Sequence, residues 1–221
     1  MNGGAAVFVK TPGLSPLKTR LAAGLGTSAA EAWYRLAADT VAAVLSRVPG
    51  VSGYWAVAEP VARSAGAWPG MPLLEQGEGE LGARMGRVHA ALLERHHFAL
   101  LLGADTPQLD PVWLIEAAEW LAADKPRLVM GAARDGGFWL LGANRNPEPD
   151  DWLRSPCGTS DTARGFRAAL GRHGAWLHLP ELTDVDEVRD LEPMLAELAA
   201  LDRPLPAQAR LADWTRAALP R

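Results

Sequence analysis

The chain has 221 residues, a length that fits one large α/β domain, and its hydrophobic content of 48% can build a full core without a metal or disulfide staple. A formal net charge of −4 argues against a nucleic-acid partner, whose electrostatic footprint is a basic domain, while leaving room for a local basic pocket. The single cysteine, Cys157, excludes an internal disulfide and suits a reducing compartment. The apolar stretch Ala5–Val9 is shorter than a signal-peptide core, and Lys10 follows it at once. Runs such as Phe98–Gly103 fall far short of the ~20 residues a membrane helix needs. The expectation is a cytoplasmic protein with no transmembrane segment.

Along the chain, short apolar runs alternate with helical patterns, the signature of βα units and of the α/β fold class. Ala5–Val9 reads as a buried first strand, and Thr11 to Gly26 as a loop rich in Gly, Pro and Lys. Ser28-Ala-Ala-Glu31 has the form of a capping box, which starts a helix running to about Val48. Gly53–Glu59 is a second strand, Pro60–Pro72 a long connection and Leu73–Glu75 a short third strand. Glu80 to Arg95 is helical in pattern, and Phe98–Gly103 is a central strand. Asp110-Pro111 supplies an N-cap and a first-turn proline for a helix to about Ala123. Strands follow at Arg127–Ala132 and Phe138–Gly142, then a helix at Thr162–His173 and a last strand at Ala175–Leu179. Helices at Glu187–Ala200 and Leu205–Leu219 close the chain, residues 204–221 forming a C-terminal helical tail. No repeat or linker divides this pattern, so residues 1–221 read as one domain. Asn144–Pro156, with three prolines, is the best candidate for a mobile loop.

Ligands of open α/β sheets sit beyond the carboxyl ends of strands, and the unusual polar residues fall largely at such ends. After the first strand, one loop carries Lys10, Lys18 and Arg20 among Gly and Pro turns. A phosphate chain needs such cations and exposed backbone N–H groups, although a basic loop can also be merely solvated. Neither GxxxxGK[ST] nor GxGxxG is present. Asp105, in Gly103-Ala-Asp-Thr-Pro107, is placed to hold Mg²⁺ or Mn²⁺ against a diphosphate, or else to cap its own loop. Asp184-Val-Asp186 can point two carboxylates to one side of an extended segment, with a helix N-cap the alternative for Asp186.

In Arg134-Asp135-Gly136-Gly137-Phe138-Trp139, the glycines allow close backbone approach and Asp135 can accept hydroxyl hydrogen bonds; Asp-Gly also makes a tight turn between strands. Gln76-Gly-Glu-Gly-Glu-Leu-Gly82-Ala-Arg84 is a glycine-rich lead into a helix, whose N-terminus suits anions. Trp139 and Trp152 lie near this candidate site in sequence, and the five histidines form no metal pattern.

Five segments in this order resemble a known family. They are Val7-Phe-Val-Lys10-Thr-Pro-Gly-Leu-Ser-Pro-Leu-Lys18-Thr-Arg20-Leu, Gly77-Glu-Gly-Glu-Leu-Gly-Ala-Arg84-Met, Gly103-Ala-Asp105-Thr-Pro, Asp135-Gly-Gly137 and Asp184-Val-Asp186. The chain resembles bacterial GT-A-type glycosyltransferase-like proteins, long carried as a domain of unknown function and in part labelled radical-SAM/selenodomain-associated or arsenosugar-biosynthesis transferases. The resemblance spans Ala5 to Leu191 and implies a nucleotide-diphospho-sugar transferase fold, a mixed, mostly parallel sheet flanked by helices. It implies that Lys18 and Arg20 bind the diphosphate, Asp105 stands in the metal-carboxylate position and Asp135 lines the acceptor side. The chain departs from many relatives where Phe138-Trp139 replaces Tyr-Tyr and Cys157-Gly158-Thr159 replaces Trp-Ser-Thr. Both departures fall on the acceptor side, with Gly136, Gly137 and Trp139.

The sequence therefore supports a metal-dependent glycosyltransferase using Mg²⁺ or Mn²⁺, a nucleotide sugar and an unknown acceptor. Lys10, Lys18, Arg20 and Arg84 would bind the nucleotide diphosphate, Asp105, Asp184 and Asp186 the metal, and Asp135 would orient or deprotonate the acceptor. A nucleotidyltransferase taking an NTP on the same fold, and a non-catalytic nucleotide-binding module, are the alternatives.

Overall fold

The structure is a computed structural model that describes residues 1–154 and 158–219. Seven strands form one sheet in the order β3-β2-β1-β4-β6-β5-β7. They are β1 (Gly3–Val9), β2 (Val51–Val57), β3 (Leu73–Glu75), β4 (Phe98–Gly103), β5 (Arg127–Ala133), β6 (Phe138–Ala143) and β7 (Ala175–Leu182). All pairings are parallel except those of β6, which runs antiparallel to both β4 and β5.

Parallel strands covered on both faces read as continuous apolar runs, and alternate residues of β1 show why. Ala5, Val7 and Val9 enter one core with Trp33 and Val41 of α2 (Thr27–Leu45), Leu114 of α5 (Pro111–Leu121) and Met194 of α8 (Leu191–Ala199). Ala6 enters the other with Met85 and Val88 of α4 (Leu81–Leu93), Trp152 of α6 (Pro149–Leu153) and Phe166 of α7 (Thr162–Leu170). The chain also forms α1 (Thr19–Leu25), α3 (Val61–Ser64) and α9 (Pro206–Ala218).

Several expectations are corrected. The basic loop ends in helix α1, which an interior glycine disguises in the sequence because glycine weakens helices by roughly 0.5–1 kcal/mol. Gly24 is required there: a Cβ would lie 2.3 Å from Val188 Cγ2. Helix α2 starts at Thr27 behind Gly26, with no side-chain cap, so Ser28 is not its N-cap. Within Asn144–Pro156, residues 149–153 form α6 with Trp152 buried, and Asn144 is held by Arg127 N and by the carbonyls of Ala123 and Lys125. Cys157 lies outside the described residues. By contrast Asp110 caps α5 as expected, accepting from Val112 N at 2.9 Å.

Candidate active site

The carboxyl ends of β1, β4, β5 and β7 lead directly into Lys10, Asp105, Asp135 and Asp184. The β4 turn and the β7 turn are stitched together by Val185 N donating to Asp105 O at 3.1 Å. Asp105, Asp184 and Asp186 thereby present ligand atoms that all lie within 4.8 Å of one another, a grouping unique among the described residues.

Lys18 reaches this cluster across 87 residues of sequence: its Nζ donates to Asp105 Oδ2 and Asp186 Oδ1, each at 2.8 Å, and its side chain is 7% exposed. It is the only non-glycine residue at positive φ (44°) among the described residues, in the left-handed conformation at the head of α1. Such a conformation persists where the surroundings over-determine it. Burial alone would lower the Lys18 pKa; attraction to Asp105 and Asp186 overcomes it and raises the pKa above the ordinary lysine value. Arg20, largely exposed, donates to Asp186 Oδ2 and to Glu187 Oε1.

The carboxylates are not equivalent. Burial, and then the negative charges of Asp105, Asp135 and Asp186, push Asp184 up to about 7 against the pull of Lys18. Asp186 is pushed up by burial but held below the ordinary range by Lys18 and Arg20. It does not cap the following turn: Asp190 Oδ2 accepts from Asp186 N at 3.0 Å and from Glu187 N at 2.7 Å. The Asp186 carboxylate is left to the cluster.

Two recesses meet at Asp186. One, about 330 Å³, is lined by Phe8, Lys10, Lys18, Tyr34, Gln76 and Asp105 among others. The second, about 250 Å³, is lined by Arg20, Arg134, Asp135, Thr183 and Asp184 among others. A further recess of about 310 Å³ between α4 and α6 holds no carboxylate and lies apart from this chemistry.

The structure brings Lys10, Lys18, Arg20, Asp105, Asp135, Asp184 and Asp186 to these two recesses, but not the other expected residues. Arg84 turns back to donate to Gly79 O at 2.7 Å and lines neither recess. Trp139 is 1% exposed, donates from Nε1 to Pro180 O at 3.0 Å and packs where a Gly131 side chain would be, so it belongs to the core rather than an acceptor surface. Phe138 points to the opposite core and stacks edge-on against Phe166. Gly136, at φ 92°, makes its close approach to the chain itself, since a Cβ would lie 2.0 Å from Ser160 O. Gly137 N donates to Asp135 Oδ1 at 2.7 Å, so Asp135 both closes the turn and faces the second recess.

Supporting residues were silent in the sequence. Tyr34, within the apolar face of α2, accepts from Lys10 N at 3.0 Å. Glu59 accepts from Thr11 N at 3.0 Å and pins the start of the basic loop. Neither stands in a motif, and only the αβ contacts reveal them.

The donor set suits a hard divalent cation: carboxylate oxygens alone, converging, with one carboxyl raised by burial and then by neighbouring negative charge. Among the described residues, no helix is long and apolar enough to cross a membrane.

Residues 39–158, more than half the chain, match the model of a family of uncharacterized proteins conserved in bacteria (DUF2064), and the chain belongs to that family. No curated protein matches the sequence. The fold is similar to that of a candidate nucleotide-diphospho-sugar transferase from Desulfovibrio desulfuricans G20, with 24% identity, a TM-score of 0.84, and 99% of this chain and 97% of that one covered. It is also similar to CMP:2-keto-3-deoxy-manno-octonic acid synthetase complexed with CTP, with 12% identity, a TM-score of 0.56, and 90% and 99% covered. A Mycobacterium tuberculosis H37Rv protein in complex with manganese has 15% identity, a TM-score of 0.50, and 91% and 100% covered. At these identities the likeness establishes the fold.

Proposed function

We propose that the protein is a metal-dependent transferase acting on a nucleotide diphosphate sugar, with the whole chain serving as one substrate-binding domain. The observation that carries this reading is the convergence of Lys18, Asp105, Asp184 and Asp186 where two recesses meet. Asp105, Asp184 and Asp186 would hold Mg²⁺ or Mn²⁺, which when bound neutralises charge on the diphosphate. Lys10 and Lys18 line the first recess and would bind the nucleotide there. Lys18, pre-paired with two carboxylates, is poised to exchange one of them for a phosphate oxygen, adding electrostatic stabilisation as the leaving group gains charge. Asp135 and Arg20 line the second recess, where Asp135 would accept the proton of an acceptor hydroxyl.

A nucleotidyltransferase is the second reading, favoured by the likeness to the CTP-bound synthetase. Turnover separates the two. Incubation with UDP-, GDP- or dTDP-sugars and Mn²⁺ should release nucleoside diphosphate as the sugar passes to a supplied acceptor hydroxyl or, more slowly, to water, whereas an NTP with sugar phosphates would release pyrophosphate in the second case. Asp105→Asn should fold normally and lose metal-dependent nucleotide binding by at least tenfold, about 1.4 kcal/mol. Equal Mn²⁺-assisted binding by the variant and the parent would make Asp105 structural.

A further inference from the structure

Glu197 lies on α8, which contributes no residue to either recess. Its carboxylate nevertheless accepts four hydrogen bonds, and all four donors come from loops that carry site carboxylates. Oε1 accepts from Arg134 Nε at 3.0 Å and from Thr183 Oγ1 at 3.0 Å. Oε2 accepts from Gln108 Nε2 at 2.8 Å and from Thr183 N at 3.0 Å. Gln108 belongs to the turn after Asp105, Arg134 precedes Asp135, and Thr183 precedes Asp184. Gln108 Nε2 also donates to Thr183 O, so, with Val185 N on Asp105 O, the first and third loops are tied directly as well as through Glu197.

Two of the three donor residues have little freedom: Gln108 is fully buried and Thr183 is 5% exposed. Arg134 is 57% exposed and the Glu197 side chain 18%, so the link to the Asp135 loop is the looser one. On the Gln108 and Thr183 side each lost bond would leave a desolvated donor unmatched. Asp151 provides an internal contrast. Its carboxylate accepts three bonds, from Arg154, Arg172 and His173, which stand just past α6 and α7 and not on a loop that carries a site carboxylate.

We infer that Glu197 is the positioning residue that sets the spacing of Asp105, Asp135 and Asp184 by clamping their three loops from behind. The inference rests on the reading of those carboxylates as a metal and substrate site. Glu197 touches neither; it fixes where the ligands stand. Groups bonded directly to metal ligands are typically worth about 10–100-fold in metal affinity, and Glu197, one step further back, belongs at the lower end of that range.

Two mild substitutions separate reach from charge. Glu197→Gln keeps the reach: its remaining oxygen can serve Gln108 and the Thr183 amide, while its NH₂ meets the Thr183 hydroxyl, which can turn to accept, and only the exposed Arg134 Nε loses its acceptor. Glu197→Asp keeps the charge and falls short by a methylene. Calorimetric titration with Mn²⁺ should give the order wild type, then Glu197→Gln, then Glu197→Asp, the last weaker than wild type by roughly tenfold. Asp151→Asn, destabilised elsewhere, should keep wild-type affinity. Hydrogen exchange should quicken together in residues 105–109, 134–137 and 183–186 of Glu197→Asp. Wild-type affinity in Glu197→Asp, or weakening only in Glu197→Gln, would overturn the inference in favour of a bare charge effect. A folded wild type that binds no Mn²⁺ would refute the metal reading alone. The exchange experiment needs no ligand, and unchanged exchange in all three segments would then refute the clamp.

Discussion

Asp184 is half-buried beside three other carboxylates, and its ionisation works against folding. Its pKa is pushed up to about 7, whereas an unfolded aspartate titrates near ~3.9. Below the unfolded value both states are protonated and the displacement contributes nothing. As pH rises above it the unfolded chain ionises first, so the fold loses stability, and the full penalty is present above the folded value. Asp184→Asn should therefore raise the melting temperature at pH 8 in EDTA and leave it unchanged below about pH 4. Each unit of displacement is worth about 1.4 kcal/mol, and ~2–4 °C per kcal/mol at this chain length makes the gain several degrees. Scanning calorimetry of both proteins at the two pH values checks this; a variant less stable than the parent at pH 8 would contradict the account by burial and like charge. Stability gained by removing a carboxylate is the pattern expected of a site built for a ligand rather than for the fold.

The elements behind the site hold it as firmly as the loops in front. Helix α9 docks on α2 through Trp33 Nε1 donating to Thr215 Oγ1 at 3.2 Å, with Leu211 fully buried. Its Gln208 donates to Pro107 O at 3.0 Å and Leu109 O at 2.8 Å and accepts from Leu205 N at 2.8 Å. The helix at the C-terminus is thus part of what shapes the Asp105 turn. Gln208→Ala strands two buried carbonyls and an amide, which predicts a loss of about 2–4 kcal/mol. Urea denaturation should show the midpoint falling with an unchanged slope. A loss under about 0.5 kcal/mol, the range of an ordinary surface substitution, would mean that α9 is peripheral.

At the scale of the molecule, the proposed function has metal and nucleotide each completing the other's site, because Asp105 and Asp186 border the recess that Lys10 and Lys18 line. A ligand that binds only the folded state stabilises it by roughly 2.7 kcal/mol at a hundred times its dissociation constant. For a chain of this size that is a melting shift of about 5–10 °C. A nucleoside-diphospho-sugar plus Mn²⁺ or Mg²⁺ should produce it, with either alone doing less than half. Additive or absent shifts, measured by thermal melting at fixed salt, would argue against a shared site.

The order of the strands and of the longer helices was legible in the sequence because each carries its own signal, whereas the short helices α1, α3 and α6 were read as loop. Phe98–Gly103 is a strand because five apolar residues run up to a glycine, and Asp110-Pro111 opens α5 because that pair satisfies a helix start. The family motifs likewise marked Lys18, Asp105, Asp184 and Asp186 one loop at a time. Tertiary structure decided what those loops do together. Whether Asp186 caps a turn or joins a cluster depends on Lys18, 168 residues away, and no local pattern encodes that distance. Trp139 and Phe138 sit beside Asp135 in sequence, yet strand alternation sends them into opposite cores. Arg84 looked like an anion ligand until the glycine turn supplied a carbonyl within its reach. Glu197 carried no signal at all, since an acidic residue on a helix becomes a clamp only when three loops from elsewhere in the chain fold onto it.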